Sequence, residues 1–404
     1  MPKKYIVFLL WFVSSACFAG NALKEFSSLK NSGLLMLGKQ GQSIISDHAN
    51  TPFTPASTTK LITAWLALKH WGGNYHFKTQ FYLDKTNHTL WVKGSGDPFL
   101  VSEELKVLAK NLRKQGLKRV DTIALDNSLF KSNMTLPGTG QTNNPYDAVP
   151  SALAANFNTI YIKKINGKVV SAESQTPLTA YARSFAKQIK SAPLRVNTGP
   201  NPVDAEQYFA ELLAAFLSKE GVKVGKGVVR GRVSTQSLFY THTNSKSLAE
   251  MIRAMMRYST NFLANQLILV LSAEQYQRPA NRADVQQYMH QTLKKVFRWS
   301  NFTIKDGAGL SRGNRLSPQQ LAELLQAFRP WKNLLPEIET NIFAKSGTMN
   351  GISTLAGYIV DKKVWQAFAI MMNQPVPYKL RNHIALELAK LKVRNVHGIT
   401  SRNY

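Results

Sequence analysis

The sequence predicts an α/β (α+β) fold, with an antiparallel sheet flanked by helices and interrupted by a mainly β insertion. Three observations predict it. Near the C-terminus, residues 342–348 and 353–360 read as one strand running into the next. Asp361, Lys362 and Lys363 turn the chain, and residues 364–372 return. Near the N-terminus, residues 33–37 and 43–46 read as two strands around a Gly-Lys-Gln-Gly turn, followed by an apolar helix opening at Ser57. Between these parts the texture changes, and residues 77–236 show short strand-like runs separated by turn-rich stretches.

The chain has 404 residues, of which 44% are apolar, enough for a globular protein with a full core. Its first residues read as a secretory signal over 1–19. Lys3 and Lys4 form a basic start, Tyr5 to Val13 a short apolar run, and Ala19 before Gly20 a cleavage point. The structural alternative is a membrane anchor, but the run falls short of the roughly 20 apolar residues that span a bilayer. Localisation is therefore expected to be periplasmic, with association to the cell wall or membrane surface.

In order after the signal, Pro52 and Pro55 mark a loop. The helix from Ser57 carries Leu61, Ile62, Trp65, Leu66 and Leu68 and ends at Gly72-Gly73. Within the insertion, residues 89–92 and 122–125 read as strands, and Pro137 to Pro150 as a long surface loop. Ala205 to Leu217 reads as a helix, and Val222 to Val233 as glycine-containing β-structure. Ser247 and Glu250 form a capping box that starts a helix carrying Met251, Ile252, Met255 and Met256. A further helix with Phe262, Leu263, Leu267 and Leu269 follows, and a helix over Ile384 to Leu391 should pack on the C-terminal sheet. The domains expected are residues 20–80 with 240–404 as one discontinuous unit, and 81–239 as inserted accessory structure.

The formal net charge is +28, and loss of Lys3 and Lys4 with the signal leaves +26. Such a charge favours anionic partners. For an exported chain these are cell-wall polymer, lipid headgroups or lipopolysaccharide, and the charge reads as retention at an anionic envelope surface. The lysines are scattered and no nucleic-acid motif is present, so nucleic acid is not expected as a partner. Cys17, the single cysteine, lies in the signal, which excludes a thiol nucleophile and cysteine-bound zinc. His48, His70, His76 and His290 lack ligand spacing and read as surface or half-buried residues, so no metal or other cofactor is expected.

Three motifs carry the chemistry: Ser57-Thr58-Thr59-Lys60, Ser259-Thr260-Asn261 and Lys345-Ser346-Gly347-Thr348. As S-x-x-K, S-x-N and K-[ST]-G they make up the triple signature of penicillin-interacting serine acyltransferases. Each is weak alone. S-x-x-K recurs at Ser27, Ser128 and Ser184, and S-x-N at Ser401, whereas K-[ST]-G occurs once. Residues three apart share a helix face, so Lys60 stands beside Ser57, and burial can depress a lysine pKa until it serves as a base. Ser57 then reads as nucleophile and Lys60 as base, against the plain alternative of a helix-capping serine with a solvated lysine. Ser259 would relay a proton to the leaving group, and Asn261 would hold the substrate amide. Lys345, Ser346 and Thr348 would bind a terminal carboxylate, with Gly347 letting substrate lie close. The backbone N–H groups of Ser57 and Thr348 would form an oxyanion hole.

The motifs and their surroundings resemble the D-alanyl-D-alanine carboxypeptidase/endopeptidase family, the low-molecular-mass class C penicillin-binding proteins of the penicillin-binding protein 4 type. Thr54 to Thr63 (TPASTTKLIT) resembles the family's nucleophile segment. Gly94 to Pro98 (GSGDP), Asn156 to Asn158 (NFN) and Asp306 to Arg312 (DGAGLSR) resemble further landmarks, so the likeness spans the mature chain. It implies a serine β-lactamase/DD-peptidase-like domain with the insertion placed after the nucleophile helix. It also implies peptidoglycan stem peptides as substrate and β-lactam antibiotics as acylating ligands. It further implies that Arg312 faces the substrate and that Asp126 and Phe130 contact the stem peptide's diamino acid. The alternative for Asp126 is a turn residue at a strand end. The chain departs from the family in carrying Ser346 where Thr is frequent, and in an insertion that is short for the family. The competing functions are a non-catalytic peptidoglycan-binding protein, which would be expected to have damaged motifs, and a β-lactamase, against which the large insertion argues.

Overall fold

The computed structural model describes residues 22–132 and 134–397, with side chains to residue 391. The expected export signal lies outside the described residues. Among those described, no helix is long and apolar enough to cross a membrane.

The C-terminal strands and the N-terminal pair belong to one sheet. Its six strands are all antiparallel, in the order Glu337–Glu339, Ile342–Met349, Ile352–Asp361, Val364–Met372, Ser32–Leu37, Ser43–Asp47. Side chains alternate between the two faces of a strand, which divides these residues between two cores. Leu355, Ile359, Phe368, Ile370 and Met372 face the helices Ala22–Ser27 and Leu380–His397, where Phe26, Ile384 and Leu388 meet them. Ala356, Tyr358, Ala367, Ala369 and Met371 face the other way, into the larger core.

That larger core is built around two helices apolar on all sides. Lys60–Trp71 is buried from Lys60 through Leu68, and Asn261–Tyr276 from Phe262 through Ala273. A helix without a polar face must lie inside the molecule. Lys60–Trp71 packs against Asn261–Tyr276, Leu248–Tyr258 and Pro318–Phe328. The Ser247–Glu250 capping box forms as expected, with the Ser247 N–H donating to Glu250 Oε2 at 2.9 Å. Gly72, at φ +77°, ends the nucleophile helix.

A second sheet of five strands has the order Ser237–Thr243, Lys78–Asp84, Thr89–Lys93, Arg119–Asp126, Lys223–Arg230, with its last two pairings parallel. Helices Ser102–Lys114 and Pro202–Lys219 cover it and pack on each other, enclosing a core of their own with Leu105, Leu112, Ile123, Phe209 and Leu213. A three-stranded sheet, Lys168–Ser171, Thr159–Ile165 and Leu194–Asn197, adjoins it. The expectation of strands and turns for residues 77–236 omits the helix Ser102–Lys114. In the five-stranded sheet Lys78–Asp84 pairs with Ser237–Thr243, and the Asn244 N–H donates to Phe77 O at 2.9 Å where the chain leaves and returns. The expected surface loop Pro137–Pro150 is irregular, but its end turns inward: Asp147 to Asn156 are all buried.

Candidate active site

The nucleophile segment is held from three sides before its helix begins. Phe53 and Leu316 exchange backbone hydrogen bonds of 2.8 and 2.9 Å. The Asn373 amide accepts from Thr54 N at 2.7 Å and donates to Thr54 O at 3.1 Å. The Thr354 hydroxyl donates to Pro55 O at 2.8 Å. Ala56 is then driven to φ +48°, a conformation costly for a residue with a Cβ. A 3-10 turn over Ala56–Thr59 delivers Ser57 to the start of the α-helix at Lys60. The first turn is thus tighter than the α-helix expected to open at Ser57.

Lys60 is wholly buried. Its Nζ lies 3.0 Å from Ser57 Oγ, 2.8 Å from Asn261 Oδ1 and 2.7 Å from Ala308 O. Burial depresses its pKa well below the usual value, the Lys345 charge adds to this, and the Asp306 carboxylate opposes it. A neutral amine has two N–H groups and one lone pair. Asn261 Oδ1 and Ala308 O can only accept, so they take both hydrogens and leave the lone pair on the Ser57 side. The arrangement can therefore withdraw the Ser57 proton.

The Ala308 carbonyl is set by a loop centred on Asp306. That carboxylate, fully buried, accepts from the backbone N–H of Ala308, Leu310 and Ser311 at 2.9–3.1 Å and from Asn314 Nδ2 at 2.7 Å. Thr63 donates to Gly307 O at 2.7 Å, tying the loop to the nucleophile helix. In the sequence Asp306 stands only within the DGAGLSR landmark; in the fold it places the Ala308 carbonyl on Lys60.

The second motif lies at a helix junction. Ser259, at φ +55°, closes the helix Leu248–Tyr258 in the left-handed conformation, and Asn261 opens the next. Asn261 bridges: its Oδ1 accepts from Lys60 and its Nδ2 donates to Tyr146 O at 3.1 Å. The loop expected at the surface thus reaches the site through Tyr146.

The third motif occupies strand Ile342–Met349. Lys345, expected to answer a substrate carboxylate, is only 1% exposed. Burial, with the Arg381 charge next, brings its pKa down to about 8. Its Nζ donates to Ser346 O at 2.7 Å. Gly347 packs against the nucleophile segment, where a Cβ would come within 2.8 Å of Ser57 N and 2.9 Å of Pro55 O. This close approach, rather than room for substrate alone, requires glycine. Thr348 is exposed and accepts from Arg381 Nη1 at 2.7 Å. Arg381 carried no sequence signal; only the return of the C-terminal helix to the sheet brings it here.

Arg312 is exposed and donates to Asn350 O at 2.8 Å, in the turn that follows the third motif. Asp126 and Phe130 are not brought to the constellation. The Asp126 carboxylate is buried and accepts from Ser128 N at 3.0 Å and Val233 N at 2.9 Å, which is the turn reading. Phe130 is 7% exposed and bridges to Ala280, beyond the C-terminal end of helix Asn261–Tyr276. Sixteen residues of helix measure about 24 Å, so the whole helix separates that bridge from Asn261. The histidines have structural partners: His70 meets Glu274 at 3.0 Å, His76 meets Asn244 O at 2.7 Å, and His290 stacks on Phe302.

A serine beside a buried, depressed lysine, under a helix-junction asparagine and along a K-S-G-T strand of an antiparallel sheet, is the site of a serine acyl-transfer enzyme of the penicillin-recognising class. Residues 22–340 match the family described as D-Ala-D-Ala carboxypeptidase 3 (S13), and the chain belongs to that family. It is 24% identical over 399 residues to the D-alanyl-D-alanine carboxypeptidase DacB of Haemophilus influenzae, covering 82% of this chain and 83% of that protein. It is 24% identical over 427 residues to a D-alanyl-D-alanine carboxypeptidase of Actinomadura sp., covering 87% and 79%. Its fold is similar to the crystal structure of penicillin binding protein 4 from Haemophilus influenzae. The TM-score is 0.73 at 21% identity, over 93% of this chain and 99% of that one. A penicillin G-acylated predatory endopeptidase of Bdellovibrio bacteriovorus matches with a TM-score of 0.52 at 14% identity, over 93% and 95%.

Proposed function

We propose that this chain is a serine D-Ala-D-Ala carboxypeptidase, and a DD-endopeptidase, acting on peptidoglycan stem peptides through a Ser57 acyl-enzyme. The observation that carries the reading is Lys60 Nζ, buried and 3.0 Å from Ser57 Oγ, with its other two contacts on acceptors.

Lys60 takes the Ser57 proton as Oγ attacks the carbonyl between two D-alanines. The oxyanion forms between the backbone N–H groups of Ser57 and Thr348. The proton passes by way of Ser259 to the departing amine, the carbon–nitrogen bond breaks, and D-alanine leaves. Asn261, with one hydrogen of Nδ2 engaged by Tyr146 O, has the other for the substrate backbone. Lys345 and the Ser346 and Thr348 hydroxyls receive the terminal carboxylate. Water activated at Lys60 then hydrolyses the ester. Where the scissile bond is a cross-link, the same steps give endopeptidase cleavage. A β-lactam acylates Ser57 by the same attack and keeps its leaving group tethered.

The reading includes export to the periplasm by the N-terminal segment and retention of the exported chain at an anionic envelope by the net charge of +26 that remains of +28 without Lys3 and Lys4. In the same reading, residues 81–239 form the accessory insertion in a catalytic unit of residues 20–80 and 240–404. Arg312 stands at the substrate-facing rim, beside the turn that follows the third motif.

The test is incubation of purified protein with a labelled penicillin, followed by intact mass. A stable adduct on wild type and none on Ser57→Ala supports the reading. Rapid drug hydrolysis without an adduct would make the protein a β-lactamase. Folded protein with neither adduct nor turnover, yet binding cell wall, would make it a wall-binding protein.

A further inference from the structure

Arg381 stands in a setting that strand support alone does not require. Its Nη1 donates to Gly347 O at 2.6 Å and Thr348 Oγ1 at 2.7 Å, with Ser353 Oγ at 3.5 Å. These partners are neutral oxygens, and no carboxylate pairs with the guanidinium among the described residues. It lies in the first turn of the 18-residue helix Leu380–His397, where the helix dipole disfavours a cation. It is half-buried, and it lines an open cleft with Thr348, Ser353, Pro377 and Tyr378. Lys345 is buried close enough for the Arg381 charge to depress its pKa. Two partly desolvated cations without an anion are an unfavourable arrangement that an anionic ligand relieves.

The Thr348 hydroxyl decides what Arg381 does. A guanidinium only donates, so Thr348 Oγ1 must accept from it. The single hydroxyl hydrogen is then directed elsewhere, and it is available to an acceptor in the cleft. Without Arg381 that hydrogen could turn to the backbone instead.

We propose that Arg381 is a positioning residue. Through Thr348 and Gly347 it sets the third motif to receive a free C-terminal carboxylate, and so makes the enzyme selective for peptides ending in an acid over the same peptides ending in an amide. The inference rests on the peptidase reading above and adds a residue outside the three motifs to it.

The test compares diacetyl-L-lysyl-D-alanyl-D-alanine with its C-terminal amide as substrates for wild type, Arg381→Gln and Arg381→Lys. Loss of a charge-assisted hydrogen bond should lower kcat/KM for the acid roughly 10- to 100-fold, mainly through KM, and for the amide less than about 3-fold. Arg381→Lys should recover part of the loss, since it keeps the charge without the fork. Arg381→Gln should also move the alkaline limb of the pH profile upward, because the neighbouring cation on Lys345 is gone. Thr348→Val combined with Arg381→Gln should lose little more than either alone. Equal losses on acid and amide, or an unchanged acid-to-amide ratio in folded Arg381→Gln, would overturn the proposal. Should Arg381→Gln fail to fold, Arg381→Lys decides by the same ratio. Wild type that cleaves neither peptide and forms no penicillin adduct would overturn the peptidase reading, and this inference with it. Wild type that cleaves the acid while the variant ratios stay level overturns Arg381 alone.

Discussion

Gly347 and Ser57 are in backbone contact across two elements distant in sequence: a Cβ on Gly347 would lie 2.8 Å from the Ser57 nitrogen and would overlap Thr354 Oγ1. The nucleophile and the third motif therefore share one surface, and neither can move alone. Gly347→Ala should leave the protein folded but lower the penicillin acylation rate by roughly 100-fold, the cost of a misplacement near 1 Å. Stopped-flow acylation with a chromogenic β-lactam checks this, and an unchanged rate would show that the contact is slack.

Lys60→Ala should lower acylation by roughly 100- to 10,000-fold, the range of a lost general base. Lys60→Arg should fare no better, because a guanidinium stays protonated and cannot accept the Ser57 proton. Both variants should be measured for adduct formation by mass and for thermal melting, so that loss of base and loss of fold are separated.

The pH profile follows from two lysines with opposite requirements. Lys60 must be neutral to act, and burial, with the Lys345 charge next, favours that form by holding its pKa well below the usual lysine value. Lys345 must be charged to hold a carboxylate, and its pKa of about 8 means that charge is lost as pH rises through about 8. The value of kcat/KM on an acid substrate should therefore fall above about pH 8, with an apparent pKa belonging to the free enzyme. Lys345→Arg should remove that limb. An alkaline limb that stays at the same pH in Lys345→Arg would assign it to another group.

Stability should fall between pH 4 and pH 6 through Asp97. It is buried, and burial raises its pKa to about 6, against the stabilising amide of Asn244, the Phe99 N–H and His242, and with Glu104 adding to the rise. Its folded pKa lies above its unfolded value near 4, so the folded state binds more protons between the two. The associated stability is present below about pH 4 and lost as pH rises through about 6, worth roughly 2–3 kcal/mol at most. Urea unfolding of wild type and Asp97→Asn at pH 4.5 and pH 7 tests the sign. The difference between the two proteins should change with pH, and a constant difference would refute it.

Asp126→Ala should destabilise the protein by about 1–3 kcal/mol, since it leaves the Ser128 and Val233 N–H groups unpaired. Peptidase kinetics should stay within about 2-fold of wild type, as expected of a change remote from the site. A raised KM for stem peptides without loss of stability would return Asp126 to the substrate.

The chemistry was legible because its parts are local. S-x-x-K places Ser57 beside Lys60 by helix geometry alone, and the Ser247–Glu250 box and the glycines at 72 and 73 carry their own backbone logic. The C-terminal hairpin was legible because residues 353–360 and 364–372 flank a short charged turn. The helix Ser102–Lys114 carries its signal in Leu105, Leu108, Ala109 and Leu112, which have helical spacing inside a segment otherwise made of short strands and turns. The expectation for Asp126 and Phe130 rests on the family resemblance alone, and nothing in their own spacing says which end of helix Asn261–Tyr276 they reach. The roles of Tyr146, Ala308 and Arg381 have no signal in their side chains. The first two act through backbone carbonyls, which any residue provides, and the third depends on how the last helix meets the sheet.

The adjacent strands Lys78–Asp84 and Ser237–Thr243, closed by the Asn244–Phe77 hydrogen bond, bear on how the chain folds. Ser57 and Asn261 are separated by the whole intervening segment, and direct closure of so long a loop is entropically slow. Once the intervening strands have collapsed on their own core, their two ends stand about one strand spacing apart, roughly 5 Å. What remains to be closed is then a short tether on either side. Assembly of the nucleophile with its partners should then be, kinetically, closer to a local event than the sequence separation suggests.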